Sequence, residues 1–151
     1  MRRLLPIRDW LQSWAAPVLD VAIRLYVAQV FFRSGLLKLG NWDGTLYLFA
    51  SEYRVPLLPP EFAAWLGTFG ELFFPPLLAL GLAARFAALS LSAVNAVAVI
   101  SFWHVLKDNE PALMSHYYWG VLLLITLCHG PGKLSVDHLL WKRQPPAAQG
   151  T

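Results

Sequence analysis

The chain has 151 residues, of which 57% are hydrophobic and 14% charged, and its formal net charge is +3. Soluble domains carry roughly 25% charged residues, so this composition excludes an ordinary soluble protein and indicates an integral membrane protein. The basic residues are scattered beside apolar segments, where Lys and Arg act as topology signals, and this argues against a nucleic-acid partner. A single cysteine, Cys128, excludes an internal disulfide.

Four segments are apolar over about the 20 residues that a helix needs to cross a bilayer. They are residues 18–37, 62–82, 86–106 and 114–128. We therefore predict an all-α fold, a four-transmembrane-helix bundle that forms a single integral membrane domain over residues 1–151. The last span is the shortest, and we expect it to extend back toward Pro111, since proline suits the first turn of a helix.

The connection at residues 39–61 is the longest, and it is predicted to contain a short interfacial helix. Leu46, Phe49, Ala50 and Tyr53 share one helical face there, as in a helix that lies in the membrane interface. The opening segment, residues 4–16, is a second candidate for such a helix. The tail, residues 143–151, is predicted to be disordered.

Four spans place both termini on the same side of the membrane. If that side is the inner one, its loops and ends hold seven basic residues against three outside, so the positive-inside rule predicts cytoplasmic termini. The inner set is Arg2, Arg3, Arg8, Arg85, Lys133, Lys142 and Arg143, and the outer set is Lys38, Arg54 and Lys107.

Glu71 lies in the middle of an apolar segment, where a charge costs roughly 3 kcal/mol or more unless it is compensated. It shares a helical face with Ala64, Gly67 and Thr68, and small residues of this kind mark contacts between membrane helices. Depth along the spans predicts Arg24 as its partner. The pair has two interpretations, a buried ion pair that specifies the fold or a proton, quinone or substrate site.

Three further polar side chains fall within the predicted bundle. Asn95 is in the middle of the third span, where an interhelical hydrogen bond is the favoured interpretation and a ligand contact the alternative. His104 and His116 both lie near the outer face, so together they are a weak candidate for a metal or haem site. Cys128 is interpreted as a small apolar core residue.

Four stretches follow one another in order along the chain. The first is Arg24 with FFRSGLLKL at 31–39, and the second is the loop Tyr53-Arg54-Val55-Pro56. The third is Glu71 with LALGLAAR at 78–85, and the fourth is HGPGKLSVD at 129–137. In this order, and over nearly the whole chain, they resemble the DoxX family of small bacterial membrane proteins. The resemblance implies a four-helix, multi-pass protein of the bacterial inner membrane.

The resemblance also implies two functions. Some relatives look like subunits of thiosulfate:quinone oxidoreductase or partners in membrane redox and thiol-stress complexes, and others accompany enzymes that make copper-binding modified peptides. We therefore expect a subunit or partner of a quinone-linked redox system, with Arg24, Glu71 and Asn95 as the candidate cofactor site. Quinone is the favoured cofactor, and haem or a metal at His104 and His116 is less favoured.

The alternative is a non-catalytic membrane anchor or assembly partner of a biosynthetic or stress-response complex. The redox interpretation predicts lipid-accessible space beside Glu71, whereas the anchor interpretation predicts a dry bundle. Both involve the lipid bilayer and a protein partner, and a homodimer is a further candidate. A transporter is a third, weaker interpretation, because four helices form a thin wall around any pathway.

Overall fold

The computed structural model describes residues 11–142, and the side chains of residues 13–140. A π-helical turn, Leu11–Ala15, opens this region, and seven α-helices follow. They are α1 (Ala16–Gly40), α2 (Trp42–Ser51), α3 (Pro60–Leu80), α4 (Ala84–Ser101), α5 (Trp103–Leu106), α6 (Glu110–His129) and α7 (Val136–Lys142). The helices α1, α3, α4 and α6 are long and apolar enough to cross a membrane. The predicted all-α fold with four spanning helices is confirmed.

The short helix predicted in the first long connection is α2, which begins after Asn41. The Asn41 side chain accepts a hydrogen bond from the Gly44 N–H at 3.1 Å, as helix-capping residues do. The predictions for residues 4–10 and for the tail 143–151 lie outside the described residues.

The third spanning helix ends five residues earlier than predicted, at Ser101. Phe102 leaves the helical conformation, and the Ser101 carbonyl accepts a hydrogen bond from the Arg54 N–H at 3.0 Å. The loop after α2 is thereby tied to the end of α4, and the short helix α5 begins after the break. The last spanning helix starts at Glu110, because the Asn109 side chain caps it through the Ala112 N–H at 3.3 Å.

The core lies where α1 packs on α3, α3 on α4, and α4 on α6. Alanines on α4 let the neighbouring helices approach closely. The central cluster consists of Val27, Ala28, Phe31, Leu78, Ala87, Ala88, Leu91 and Leu123. A second cluster lies at the α2 end of the bundle, where Phe49 packs on Ala63 and Ala64 of α3.

The register between α1 and α3 is defined by close contact at Gly35. A Cβ added at Gly35 would lie 2.8 Å from Leu72 Cγ and 3.1 Å from Glu71 Cβ. The two helices are antiparallel, so a residue 11 positions earlier in α1 lies about 16 Å away along the helix axis, toward the far end of α3. Arg24 is that residue, and it contacts Ala79 and not Glu71.

We expect Gly35→Ala to lower the free energy of unfolding by about 1 kcal/mol. Overpacking a tight contact costs about 1–3 kcal/mol, and the better helix propensity of alanine returns up to about 1 kcal/mol. Gly40→Ala is the matched control, because nothing lies within 4 Å of a Cβ at that position. Thermal denaturation of both variants in one detergent checks this, and equal melting temperatures would contradict the proposed register.

Candidate functional site

The partner of Glu71 is Lys38, in the last turn of α1. The Lys38 ammonium donates to Glu71 Oε2 at 2.6 Å and to Ser34 Oγ at 2.8 Å. The Lys38 and Glu71 side chains are only 19% and 10% exposed. The intramembrane charge is therefore compensated, but by a residue that the sequence analysis assigned to the outer topology signals.

The predicted pairing of Arg24 with Glu71 is wrong, because the helix register carries Arg24 to the other end of α3. Arg24 is 2% exposed, and its guanidinium donates to three backbone carbonyls. The acceptors are Leu134 at 2.6 Å, Asp20 at 3.3 Å and Ala79 at 3.4 Å. Arg24 thus links α1 to the end of α3 and to the loop before α7.

Two glycines shape the surroundings of Arg24. Gly81 has φ +68°, and a Cβ there would collide with the guanidinium and with Ser135. Gly132 has φ +76°, and a Cβ there would collide with the carboxylate of Asp20. Only glycine adopts these left-handed conformations without strain. Gly81 therefore leaves room for the Arg24 guanidinium, and Gly132 leaves room for Asp20.

A cavity of about 230 Å³ lies beside the Lys38–Glu71 pair, between the loop after α2 and the helices α3 and α4. Apart from this pair, its walls are mainly apolar. Leu66 and Val97 line the cavity and are 51% and 44% exposed, so it opens at the surface between α3 and α4. The other lining residues are Phe49, Tyr53, Val55, Leu58, Ala63, Gly67, Ala93, Val94, Ala98 and Ser101.

Tyr53 lies at this cavity between two aromatic rings. Its ring centroid is 4.7 Å from that of Phe49 and 4.8 Å from that of Phe102. Burial raises the pKa of the Tyr53 phenol, and the nearby Glu71 carboxylate raises it further. The neutral phenol is therefore a hydrogen-bond donor at the edge of the cavity.

A second cavity, of about 460 Å³, lies on the other side of Lys38. Lys38, Phe49 and Tyr53 line both cavities, and the second adds the polar side chains of Asn41 and Thr45. Lys38 thus separates an apolar cavity from a more polar one. Close by, Thr68 on the buried face of α3 has the one buried side-chain oxygen without a hydrogen-bond partner in the described part of the chain.

We expect the Tyr53 phenol to titrate above the ordinary tyrosine pKa of 10.0. A pKa raised by folding means that the folded protein holds the proton more tightly than the unfolded chain. The folded protein therefore has its full stability with respect to Tyr53 below about pH 10, and this stability falls as the pH rises through the folded-state pKa. The ultraviolet absorbance titration of the wild type minus that of Tyr53→Phe measures this group, and Tyr47→Phe, at an exposed position on α2, is the control. A difference titration centred at or below pH 10.0 would contradict the assignment.

Asn95 and His116 form a two-point hydrogen bond between α4 and α6. Asn95 Nδ2 donates to the His116 carbonyl at 2.9 Å, and Asn95 Oδ1 lies 2.8 Å from His116 Nδ1. Because Oδ1 is an acceptor only, His116 Nδ1 carries the proton of this hydrogen bond. The interhelical hydrogen bond predicted for Asn95 is present.

The two histidines of the candidate metal site have different partners. His104 Nε2 lies 3.7 Å from Glu52, whereas His116 binds Asn95. Within the described residues, no group of three or more His, Cys, Asp or Glu side chains is arranged to hold a metal ion.

Cys128 is exposed, so the prediction that it is a core residue is wrong. Only Leu123 and Thr126 of α6 are buried, so this helix contributes few residues to the core.

The DoxX family model matches residues 19–104, which include Lys38, Tyr53 and Glu71. An uncharacterized protein of Haemophilus influenzae (strain ATCC 51907 / DSM 11121 / KW20 / Rd) is 34% identical over 143 residues, covering 89% of this chain and 91% of that protein. No solved structure matches. With its four apolar helices, the chain belongs to the DoxX family of membrane proteins.

Proposed function

We propose that this protein binds a membrane-soluble quinone beside Glu71 and acts as a subunit or partner of a quinone-linked redox system. The observation that carries the proposal is the apolar cavity that opens between α3 and α4 and has the Lys38–Glu71 pair in its wall. A lipid-soluble ligand with polar ends suits such a cavity. The proposed location is the bacterial inner membrane, with both termini cytoplasmic.

The cavity fits part of a quinone. Its volume of about 230 Å³ is below the roughly 300–1,000 Å³ of a typical small-molecule pocket, so it suits the ring and not the isoprenoid tail. The tail would leave between Leu66 and Val97, which reach the surface. Lys38 and Tyr53 are the donors available to the ring oxygens, and Glu71 holds the Lys38 ammonium in position.

A quinone takes up two electrons and two protons when it is reduced. In the proposal a protein partner supplies the electrons, and this chain binds the ring and moves protons. The Lys38 ammonium is placed for that role, because it lies between the polar cavity and the apolar one. The proposed cofactor site therefore differs from the site predicted from the sequence. It keeps Glu71 and adds Lys38 and Tyr53. Arg24 and Asn95 are left out, because they hydrogen-bond to the Leu134 and His116 carbonyls.

The test is mass spectrometry, with an optical spectrum, on protein extracted gently from its native membrane. We expect about one quinone per chain in the wild type and clearly less in Lys38→Gln and Glu71→Gln. Arg33→Gln is the control, because Arg33 is exposed on the same helix as Lys38. Protein that carries phospholipid alone would contradict the proposal, and a haem spectrum would favour His104 and His116 instead.

The second candidate function is a non-catalytic anchor or assembly partner. The low burial of α6 favours it, because only Leu123 and Thr126 of that helix are buried and many of its other side chains are exposed to lipid, a second copy or a partner protein. This function predicts that variants at Lys38 and Glu71 lose stability without losing a bound small molecule. A partner that copurifies equally with wild type and Glu71→Gln would support it.

A further inference from the structure

A third cavity, of about 470 Å³, lies at the end of the bundle opposite to α2, where α4 begins and α6 ends. We propose that it binds the phosphate group of an anionic phospholipid. Its lining carries four basic side chains and one acidic one. The basic residues are Arg85, His129, Lys133 and His138, and the acidic residue is Asp137.

The one carboxylate that lines this cavity is already occupied. Asp137 Oδ1 accepts from the Ala83 N–H at 2.8 Å, and Oδ2 accepts from the Ala84 N–H at 3.0 Å. Asp137 thus caps the start of α4. The nearby Asp20 lies against Gly132 and interacts with the positive charge of Arg24. Both carboxylates therefore have partners, and the cavity keeps an excess of positive charge.

The two permanent cations are available to a ligand. Within residues 13–140, neither Arg85 nor Lys133 forms an ion pair, and both are exposed. Arg85 makes one long hydrogen bond, from Nη2 to the Cys128 carbonyl at 3.4 Å. Most of its five N–H donors remain free, and the planar fork of a guanidinium matches two oxygens of a phosphate.

The loop between α6 and α7 holds Arg85 in place. Gly130 has φ +85°, and a Cβ there would lie 3.4 Å from Arg85 Nε, so the guanidinium rests on the loop backbone. Because Gly130 is in the left-handed region, glycine is favoured at this position. The cavity is thus shaped by the fold and is not a chance cluster of surface charges.

The surroundings suit a lipid. Apolar residues that lie close in sequence to the lining residues are at least 50% exposed and offer a surface for acyl chains; they are Phe86, Leu134, Leu139 and Leu140. Arg85 and Lys133 belong to the basic residues that the positive-inside rule assigns to the inner side, so this end of the bundle is expected to face the cytoplasm. Anionic lipids are concentrated in that leaflet, and basic pockets between spanning helices bind their head groups.

The test uses the full chain in phosphatidylcholine nanodiscs that contain increasing fractions of phosphatidylglycerol, with bound lipid counted by native mass spectrometry. The variant is Arg85→Gln/Lys133→Gln, and the control is Arg54→Gln/Lys107→Gln, which removes two basic residues at the other end. We expect about a fivefold loss of apparent affinity per basic residue, or about 25-fold for the first variant. The control should bind like the wild type.

A second arm adds inorganic phosphate alone to the wild type. Displacement of the lipid by millimolar phosphate would support the phosphate site and identify a soluble phosphate compound as a competing source. No displacement, with loss of lipid in Arg85→Gln/Lys133→Gln, supports the lipid. Equal binding of phosphatidylglycerol by wild type, variant and control would overturn the proposal. Arg85→Lys/Lys133→Arg, which keeps both charges, should restore most of the binding.

Discussion

Replacing Arg24 with Met is expected to lower the free energy of unfolding by about 3 kcal/mol. Hydrogen bonds from a charged donor contribute about 1.5–3 kcal/mol each, and the Leu134 carbonyl, at 2.6 Å, is the closest acceptor. The Asp20 and Ala79 contacts are longer and contribute less. Removing the guanidinium also removes the cost of burying it, which offsets part of the loss.

The control for this substitution is Arg33→Met, on the same helix. Arg33 is exposed, and in the described residues its side chain has no hydrogen bond or ion pair, so we expect little change. The free energy of unfolding of Arg24→Lys should lie between those of the wild type and Arg24→Met, because one ammonium reaches fewer carbonyls than a guanidinium. Thermal denaturation in detergent, followed by circular dichroism, measures all three variants. A wild-type melting temperature for Arg24→Met would show that Arg24 does not hold α1 to the end of α3 and to the loop before α7.

The helices could be predicted from the sequence because their signals are local. Apolar length identifies the four spans, and Asn109 and Pro111 identify the start of α6. The break at Phe102 could not be predicted in this way. It depends on a hydrogen bond between Arg54 and Ser101, which are 47 residues apart in the chain.

The partner of Glu71 could not be predicted because the register between two helices is not a local property. Counting residues from assumed membrane boundaries placed Arg24 within reach, whereas the contact at Gly35 puts it about 16 Å away along the helix axis. Gly35 was the useful signal, since a glycine inside a spanning helix marks the point of closest approach. Aligning Gly35 with Glu71 would have placed Lys38, one turn later, beside the carboxylate.

The position of Tyr53 at the cavity beside Glu71 could not be predicted for a similar reason. Tyrosine in an outer loop is typical of the aromatic belt, and that interpretation does not require Tyr53 to lie near Glu71. Both residues line one cavity because α2 packs on α3 and because the end of α4 holds the following loop. The cavity is thus a product of tertiary structure, although each residue in its wall has an ordinary sequence explanation.

The second large effect is expected at the Lys38–Glu71 pair, and it should be unequal between the partners. Lys38 lies in the last turn of α1, so without Glu71 its flexible side chain can turn to the polar cavity and keep Ser34. Glu71 lies in the middle of α3, and its shorter side chain is 10% exposed. We expect Lys38→Met to cost about 3 kcal/mol and Glu71→Leu about 1 kcal/mol.

The double variant Lys38→Met/Glu71→Leu leaves no unpaired charge, so it should be more stable than the sum of the two single changes predicts. We expect a coupling energy of about 1–2 kcal/mol, measured by denaturant titration in mixed micelles. Lys107→Met is the control, because the Lys107–Asp108 pair is exposed and 3.9 Å long, and pairs of this kind contribute little. Additive effects of the two single variants would contradict a coupled pair.

The same double variant separates the two proposed functions. If the pair only specifies the fold, a well-folded Lys38→Met/Glu71→Leu protein should keep its partner proteins and whatever lipid it carries. If the pair is the polar part of a quinone site, that protein should lose the quinone although it is folded, because the cavity beside α3 would then have no cation in its wall. Stability and bound quinone are therefore measured on one sample, and the proposed site requires that the bound quinone is lost from protein that is still folded.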